Sequence, residues 1–301
     1  MSLNAASQLK LDIVLRQSMR ALKRRLSPVL ALSTVFRDQM LSETNTIQVP
    51  FYPLESSTSK DFDGSYDFGT GDGNVNTKPV TVNKRKYQTL QMTSKEIARN
   101  TVVDLGMILQ MKVEKLAEDV LTDIFSEVTA ANYGAPILTT AASAFDRFDV
   151  ADIRTAVKEA MWPNTGRSLL LESTYEGALV KDQMTVYSSG TDAALREGSV
   201  GRVAGFDIYD HPGMPTNGEN LVGAAILPYA LLTAFAPIEP AEEVLHNMSA
   251  YRKYTDPDGT GLTLEYRAYG DPGSDTVNRI IEVNYGYALG DTAQLKRITS
   301  P

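Results

Sequence analysis

Between Thr93 and Thr129 apolar side chains return every three or four residues: Leu105, Leu109, Val113, Leu116, Val120, Ile124 and Val128. That spacing keeps them on one face of an α-helix. Thr93 and Glu96 form a capping-box pair at its start, and no proline interrupts it. Gly106 is the weak point, costing about 1 kcal/mol relative to alanine. About 37 residues at roughly 1.5 Å each give a helix of about 55 Å. A compact chain of this length would be only about 50 Å across. The helix is therefore expected to act as a beam with separate parts hung on it. Its middle, Val102–Met111, has Asp104 as the only charge and is expected to be the most completely covered part.

The rest of the pattern groups around this beam. Residues 5–26 read as an amphipathic helix with a stripe of Leu11, Leu15, Met19, Leu22 and Leu26, stopped by Pro28. Ile47–Leu54 and Thr77–Met92 read as strands, and Pro50 and Pro53 place the first at an edge or in an arm. Between them the core pattern is lost, although Phe62, Tyr66 and Phe68 still alternate with polar residues. A two-stranded ribbon is marginal alone, so the ribbon is expected to find its packing on another molecule.

Past the long helix, Asp149 is expected to cap a helix with Val150, Ile153, Val157 and Met161 inward. Ser168–Leu171 reads as a buried strand, and Ser173 with Glu176 as a second capping box. A glycine-punctuated strand follows at Gly198–Tyr209, then an Asn217-Gly218 hairpin turn and a strand at Leu221–Ile226. Pro228 is placed to open a short helix. Ala241–Met248 reads as another short helix. Leu262–Tyr269 and Ile280–Leu289 alternate as strands about a turn at Asp271–Gly273. Those two strands need a helix over one face, and the long helix is the available surface.

Composition narrows the class. The chain has 301 residues, 43% hydrophobic and 22% charged, which is ordinary for a globular protein. Its net charge of −8 argues against a general nucleic-acid binder. The charge is uneven, however. Residues 1–45 carry Lys10, Arg16, Arg20, Lys23, Arg24, Arg25 and Arg37 against Asp12, Asp38 and Glu43, so the start is +4 and the remainder −12. There is no cysteine, which removes disulfides and thiolate metal sites and fits a reducing cytosol as the place of synthesis. No signal peptide is visible. The longest uncharged run, Leu221–Ile238, is broken by Gly223, Pro228 and Pro237 and reads as strand, short helix and strand rather than as a membrane span.

Candidate chemistry is sparse. The two histidines, His211 and His246, fall in different expected domains, and no His/Glu metal spacing occurs. Gly69-Thr-Gly71-Asp-Gly73 lacks the setting of a phosphate loop. Asp256-Pro-Asp258-Gly259 lacks the further ligands of a calcium loop and reads as a turn. No nucleophile-elbow motif is present. Nothing points to an enzyme, and no catalytic, cofactor or metal residue is assigned.

The ordered layout resembles the major capsid proteins of tailed bacteriophages, the Hong Kong 97-like fold. The likeness is best at Leu30–Phe51 (LALSTVFRDQMLSETNTIQVPF), at Gly198–Tyr209, and at Pro215 with Ala224–Leu232 (AAILPYALL). It implies an α+β subunit: an N-terminal arm at 1–45, an extended β-hairpin loop at 46–92, and a spine helix at 93–130. The spine joins 237–301 in a peripheral domain, and 131–236 form an axial domain.

The function implied is structural: self-assembly into pentamers and hexamers that tile an icosahedral shell around double-stranded DNA. Partners would be further copies, scaffolding, portal and decoration proteins, and packaged DNA through non-specific contact, with no membrane and no cofactor. The virion would be the final location, after assembly in the bacterial host cytoplasm. Phe62, Tyr66, Phe68 and Lys60 are expected at contacts between subunits, and Arg16, Arg20, Lys23, Arg24 and Arg25 on an inner-surface basic arm. The short arm suggests a separate scaffolding protein or none. Some family members crosslink a loop lysine to a neighbour's asparagine, for which Lys60 and Asn284 are the residues to consider, although no motif pairs them. Alternatives are an encapsulin-like compartment shell with protein cargo, or a soluble α/β oligomeric enzyme or binding protein.

Overall fold

The computed structural model describes residues 3–32, 34–36, 46–51, 54, 76–99, 105–186, 201–238, 240–258 and 260–301. In chain order the elements begin with α1 (Leu3–Arg25), α2 (Ser27–Leu32), β1 (Thr34–Phe36), β2 (Thr46–Phe51), β3 (Asn76–Thr81) and β4 (Lys84–Thr93). Next come α3 (Ser94–Arg99), α4 (Leu105–Phe125), α5 (Ala130–Tyr133), β5 (Leu138–Thr139), α6 (Arg147–Glu159), β6 (Ser168–Leu171) and α7 (Ser173–Val186). Then follow β7 (Arg202–Val203), β8 (Phe206–Asp210), β9 (Leu221–Ile226), β10 (Leu231–Phe235) and α8 (Glu242–His246). The chain closes with β11 (Ala250–Thr255), β12 (Thr263–Asp271), β13 (Thr276–Leu289) and β14 (Leu295–Thr299).

The chain divides into two compact units, each drawn from three stretches. Unit 1 holds Met1–Ile47, Val80–Ser126 and Thr233–Tyr287; unit 2 holds Gln48–Pro79, Glu127–Leu232 and Ala288–Pro301. In unit 1, α1 packs along α4; α1 buries Leu15, Met19, Leu22 and Leu26, and α4 buries Leu109, Val113, Leu116 and Val120. The sheet runs β1-β10-β13-β12-β11, with β4 also paired to β13. Strand alternation sorts its side chains. Leu264, Tyr266, Ile281, Val283 and Tyr285 share one face, and the Tyr285 hydroxyl donates to Asp123 of α4 at 2.7 Å. Glu265, Arg267, Glu282 and Asn284 share the other, and all four are buried.

Unit 2 is a mixed sheet in the order β5-β14-β9-β6-β8-β7, with β6 parallel to β8 and β14 parallel to β5. Its core gathers Val150, Ile153 and Val157 of α6, Tyr175 and Leu179 of α7, and Leu169, Leu171, Phe206, Val222 and Ile298 of the sheet. Gly290 lies against the Tyr229 backbone so closely that a methyl group there would overlap the Tyr229 carbonyl oxygen.

Several expectations need correction. The capping box is present, with Glu96 N donating to Thr93 Oγ1 at 3.2 Å and Thr93 N donating to Glu96 at 2.9 Å. The described helix beyond it is α3 and then α4, and residues 100–104 lie outside the described residues. α4 stops at Phe125, four residues before Thr129, which instead caps α5 through its hydroxyl. Val128 stays on the apolar period because the chain buries it in the turn, where its carbonyl accepts from Asn217 Nδ2 at 2.9 Å. The expectation that Val102–Met111 is best covered fails within the described residues: Met107 and Met111 are 68% and 69% exposed. An uncharged run is not a buried one, because these two lie off the Leu109–Val113–Leu116 stripe.

Residues 3–32 fall within unit 1, where the apolar face of α1 is buried. The strand expected at 77–92 is two, β3 paired with β2 and β4 paired with β13. Gly198–Tyr209 contains a hairpin, β7 and β8, turning at Ala204 and Gly205 with φ of 47° and 90°, where a residue without a Cβ is least strained; 198–200 lie outside the described residues. Asn217-Gly218 does turn, but its flanking strands are not paired with each other, since β6 stands between β8 and β9. After Pro228 the chain makes a turn into β10 rather than a helix. Asp146, not Asp149, caps α6; Asp149 supplies the reciprocal half of the box. Met161, expected inward, is 82% exposed, because α6 ends before it and its φ of 59° swings it out while Trp162 turns into the core. Finally, β14 lies between β5 and β9 of unit 2, so the C-terminal segment does not stay with the strands that precede it.

Leu116 is 1% exposed and Met111 lies open on the same helix. Leu116→Asp buries an unpaired charge and is expected to cost about 4 kcal/mol or more. Met111→Asp should stay within about 0.5 kcal/mol of the parent. Urea unfolding of the two variants side by side checks the difference.

Candidate assembly surfaces

The ribbon is the first surface to consider. β2 and β3 form a two-stranded sheet, joined at its base by the Thr46 and Thr81 hydroxyls at 3.1 Å. Ile47, Val49, Phe51 and Val80 are buried, so the described part of the ribbon packs within its own chain. Lys78 donates to the carbonyls of Leu289 and Gly290 at 2.9 Å each and lies over the Phe51 ring. The Leu54 N–H donates to Asp291 at 3.0 Å. Lys60, Phe62, Tyr66 and Phe68 fall within 55–75, outside the described residues.

The returning strand β4 is clamped where it joins the sheet. Lys84 stands opposite Tyr285 in the register and donates to Asp123 at 3.0 Å and to the Tyr287 hydroxyl. On the other face Arg85 Nε donates to Glu282 at 2.7 Å. Burial alone would raise the Asp123 carboxyl, but the Tyr285 hydroxyl and the Lys84 ammonium outweigh it and hold it below the ordinary range. Burial likewise pulls Lys84 down, and Tyr287 with Asp123 reverse it, leaving the ammonium raised. Glu282 differs: its burial outweighs Arg85 and Arg267, and its carboxyl sits above the ordinary range.

Behind Glu282 lies a buried polar network. Glu265 faces Glu282 across the strands and accepts from Asn284 Nδ2 at 2.7 Å, Tyr251 Oη at 3.0 Å and the Ile238 N–H at 2.9 Å. Arg267 pairs with both glutamates. Asn284 is thus 2% exposed and tied to a glutamate of its own subunit, which counts against it as a crosslinking partner for Lys60.

The basic helix divides into used and open charges. Lys23 pairs with Asp258 at 2.6 Å and Asp256 at 3.2 Å, so it is an internal clip and not part of an open basic face. Its ammonium sits between the two aspartates of the segment that superficially resembles a calcium loop. Arg24 reaches Glu114 of α4 at 3.2 Å while remaining 72% exposed. Arg16, Arg20 and Arg25 are exposed and enter no ion pair among the described residues.

Unit 2 presents Phe148 and Met161 at its surface, with the Arg147 guanidinium over the Phe148 ring at 4.8 Å. Phe148 could have been picked out in the sequence as the aromatic residue off the Val150–Ile153–Val157 stripe. Met107 and Met111, four residues apart, are the corresponding exposed pair of α4. Among the described residues no three His, Asp or Glu side chains gather as metal ligands, and no helix is long and apolar enough to cross a membrane.

No protein-family model and no curated protein sequence matches the chain. Solved structures do. The capsid of cyanophage P-SCSP1u is similar over 89% of this chain and 86% of its own, with a TM-score of 0.57 at 14% identity. The mature capsid of bacteriophage PhiM1 is similar over 89% and 85%, at 0.50 and 14%. The satellite phage P4 procapsid, solved with its size determination protein, is similar over 100% and 98%, at 0.52 and 10%. The fold is the Hong Kong 97-like capsid fold. At these identities the likeness lies in the path of the chain and not in shared side chains, so the contacts above are this capsid-fold chain's own.

The clamp on β4 gives a pH test. Asp123 is held below its unfolded value, so its contribution is present above about pH 4 and is lost as pH falls through the folded value. Asp123→Asn should be less stable than the parent at pH 7, and the gap should be narrower at pH 3. Urea midpoints at both pH values measure it.

Proposed function

We propose that the chain is the major capsid protein of a tailed phage, a structural subunit that self-assembles into pentamers and hexamers and encloses double-stranded DNA. The observation that carries this reading is the capsid fold followed over nearly the whole chain. Unit 1 would be the peripheral domain with α4 as spine, and unit 2 the axial domain. The loop through 55–75, with Lys60, Phe62, Tyr66 and Phe68, would reach a neighbouring subunit, a heterologous contact of the kind that builds rings and lattices. Arg16, Arg20 and Arg24, which share a face of α1, would face the interior and meet packaged DNA through phosphate alone, while the acidic remainder keeps DNA from adhering to the wall. Scaffolding, portal and decoration proteins would be the other partners. Assembly would take place in the host cytoplasm, and the finished shell would be the virion's.

The full-length chain, expressed and viewed by negative-stain microscopy, is expected to give closed shells tens of nanometres wide. A small oligomer under every assembly condition overturns the reading. Native particles should contain DNA; shells filled with protein cargo instead would make this a compartment shell.

Deletion of 56–75 should leave a folded subunit, with the parent's thermal midpoint within a few degrees, that no longer builds stable shells. Normal assembly of that variant would remove the loop from the interface.

A further inference from the structure

One face of unit 1 combines features that DNA binding does not require. Arg16, Arg20 and Arg24 follow one another at four-residue intervals on α1, about 6 Å apart along the axis. Gln17, Arg20, Ala21 and Arg24 of α1 and Gln110 of α4 line a groove of about 390 Å³. Its floor at Ala21 is buried, and its guanidinium rim is exposed. On α4, Met107 and Met111 flank Gln110 within one turn and stand more than two-thirds exposed. On α1, Ile13 is 49% exposed and falls within the arginine stripe by helical spacing.

A phosphate backbone would need the guanidiniums and gain little from two thioethers and a sec-butyl group. Exposed methionines at helical spacing are an adaptable apolar seat, of the kind that accepts the apolar side of a partner helix. The rim chemistry fixes the sign of the partner. Arg16 and Arg20 enter no ion pair among the described residues, Asp12 one turn before Arg16 being the nearest acid along α1, and Glu114 pairs with Arg24.

We propose that this face docks an acidic amphipathic helix of a partner protein, with its apolar stripe on Met107, Met111 and Ile13 and its carboxylates on Arg16, Arg20 and Arg24. The surface belongs to the folded subunit, and the proposal holds whether or not the chain builds a shell. DNA and the acidic helix then compete for the same arginines, but only the helix uses the methionines.

The test titrates the full-length chain into three labelled probes and reads fluorescence anisotropy. The probes are a synthetic 21-residue helix with a leucine stripe flanked by glutamates, a scrambled peptide of the same composition, and a 20-base-pair DNA duplex. The amphipathic peptide should bind at least about tenfold more tightly than the scramble, a difference of about 1.4 kcal/mol. Raising salt from 50 to 300 mM should weaken it. Met107→Ser with Met111→Ser, and separately Arg16→Ala with Arg20→Ala, should each weaken the peptide about tenfold or more. DNA binding should fall only in the arginine variant. Met107→Leu with Met111→Leu should restore peptide binding, and far-UV circular dichroism should show all variants folded.

Absence of peptide binding overturns the proposal. So does equal binding of the scramble, or peptide binding that ignores the methionines, either of which makes the face a plain polyanion surface. Self-association of the parent that the serine variant abolishes assigns the face to a second copy and overturns it as well.

Discussion

β13 is claimed along both edges. One edge pairs with β12 from Thr276 to Glu282, and the other with β4 from Thr276 to Tyr285. Most of unit 1 depends on this. Through β4 it fixes where the ribbon's returning strand enters, and through the Tyr285 hydroxyl on Asp123 it fixes α4. Beyond the paired stretch, Gly286 lies so close to the chain at Thr81 that any side chain would overlap the Thr81 carbonyl oxygen. The register is therefore defended in two ways. A one-residue slip would turn Val283 and Tyr285 to the polar face, and it would also bring a side chain to the position that only glycine fills.

The polar face of that strand carries a cost that the fold accepts. Glu265 and Glu282 are directly opposed and both essentially inaccessible. Two carboxylates in that position repel and lose hydration, and two guanidiniums with an amide, a phenol and a backbone N–H answer them. An apolar set of similar volume could be as stable. What the ionic set adds is direction: Arg85 arrives on β4 and Arg267 on β12, so each strand brings a charge that fits Glu282 in one register only. The same logic appears in unit 2, where buried Arg297 of β14 pairs with Glu219 and donates to the Gly134 carbonyl at 2.8 Å, fixing the last strand.

The sequence made legible what depends on short-range periodicity. The stripes of α1, α4 and α6, the Thr93–Glu96 box and the buried run Ser168–Leu171 all follow from neighbours within a turn or a strand. What it concealed depends on partners far along the chain. Nothing local says that Leu295–Thr299 returns to pair with Leu221–Ile226, or that the strand after Val82 leaves β2 for β13. Met161 and Val128 mislead in opposite senses. Both sit on a helical period, but the helix has ended before each, so one swings out and the other is buried by a turn. Lys23 was legible as a charge but not as one already spent, because Asp256 and Asp258 lie more than 200 positions away.

That last point alters how the basic start of the chain acts. Of the cations that give residues 1–45 their excess, Lys23 is neutralised by two aspartates and Arg24 shares Glu114. The charge left open on the described helix belongs chiefly to Arg16, Arg20 and Arg25, and these do not form one patch. Arg16 and Arg20 are four apart and share a face, whereas Arg25 is five beyond Arg20, about 140° around the helix. A polyanion drawn only by charge would therefore meet fewer phosphate contacts than the sequence count implies, and its binding would be correspondingly shallow in salt. A partner that also uses Met107 and Met111 keeps an attraction that salt does not screen. The arrangement thus favours contacts that combine charge with apolar area over contacts made by charge alone.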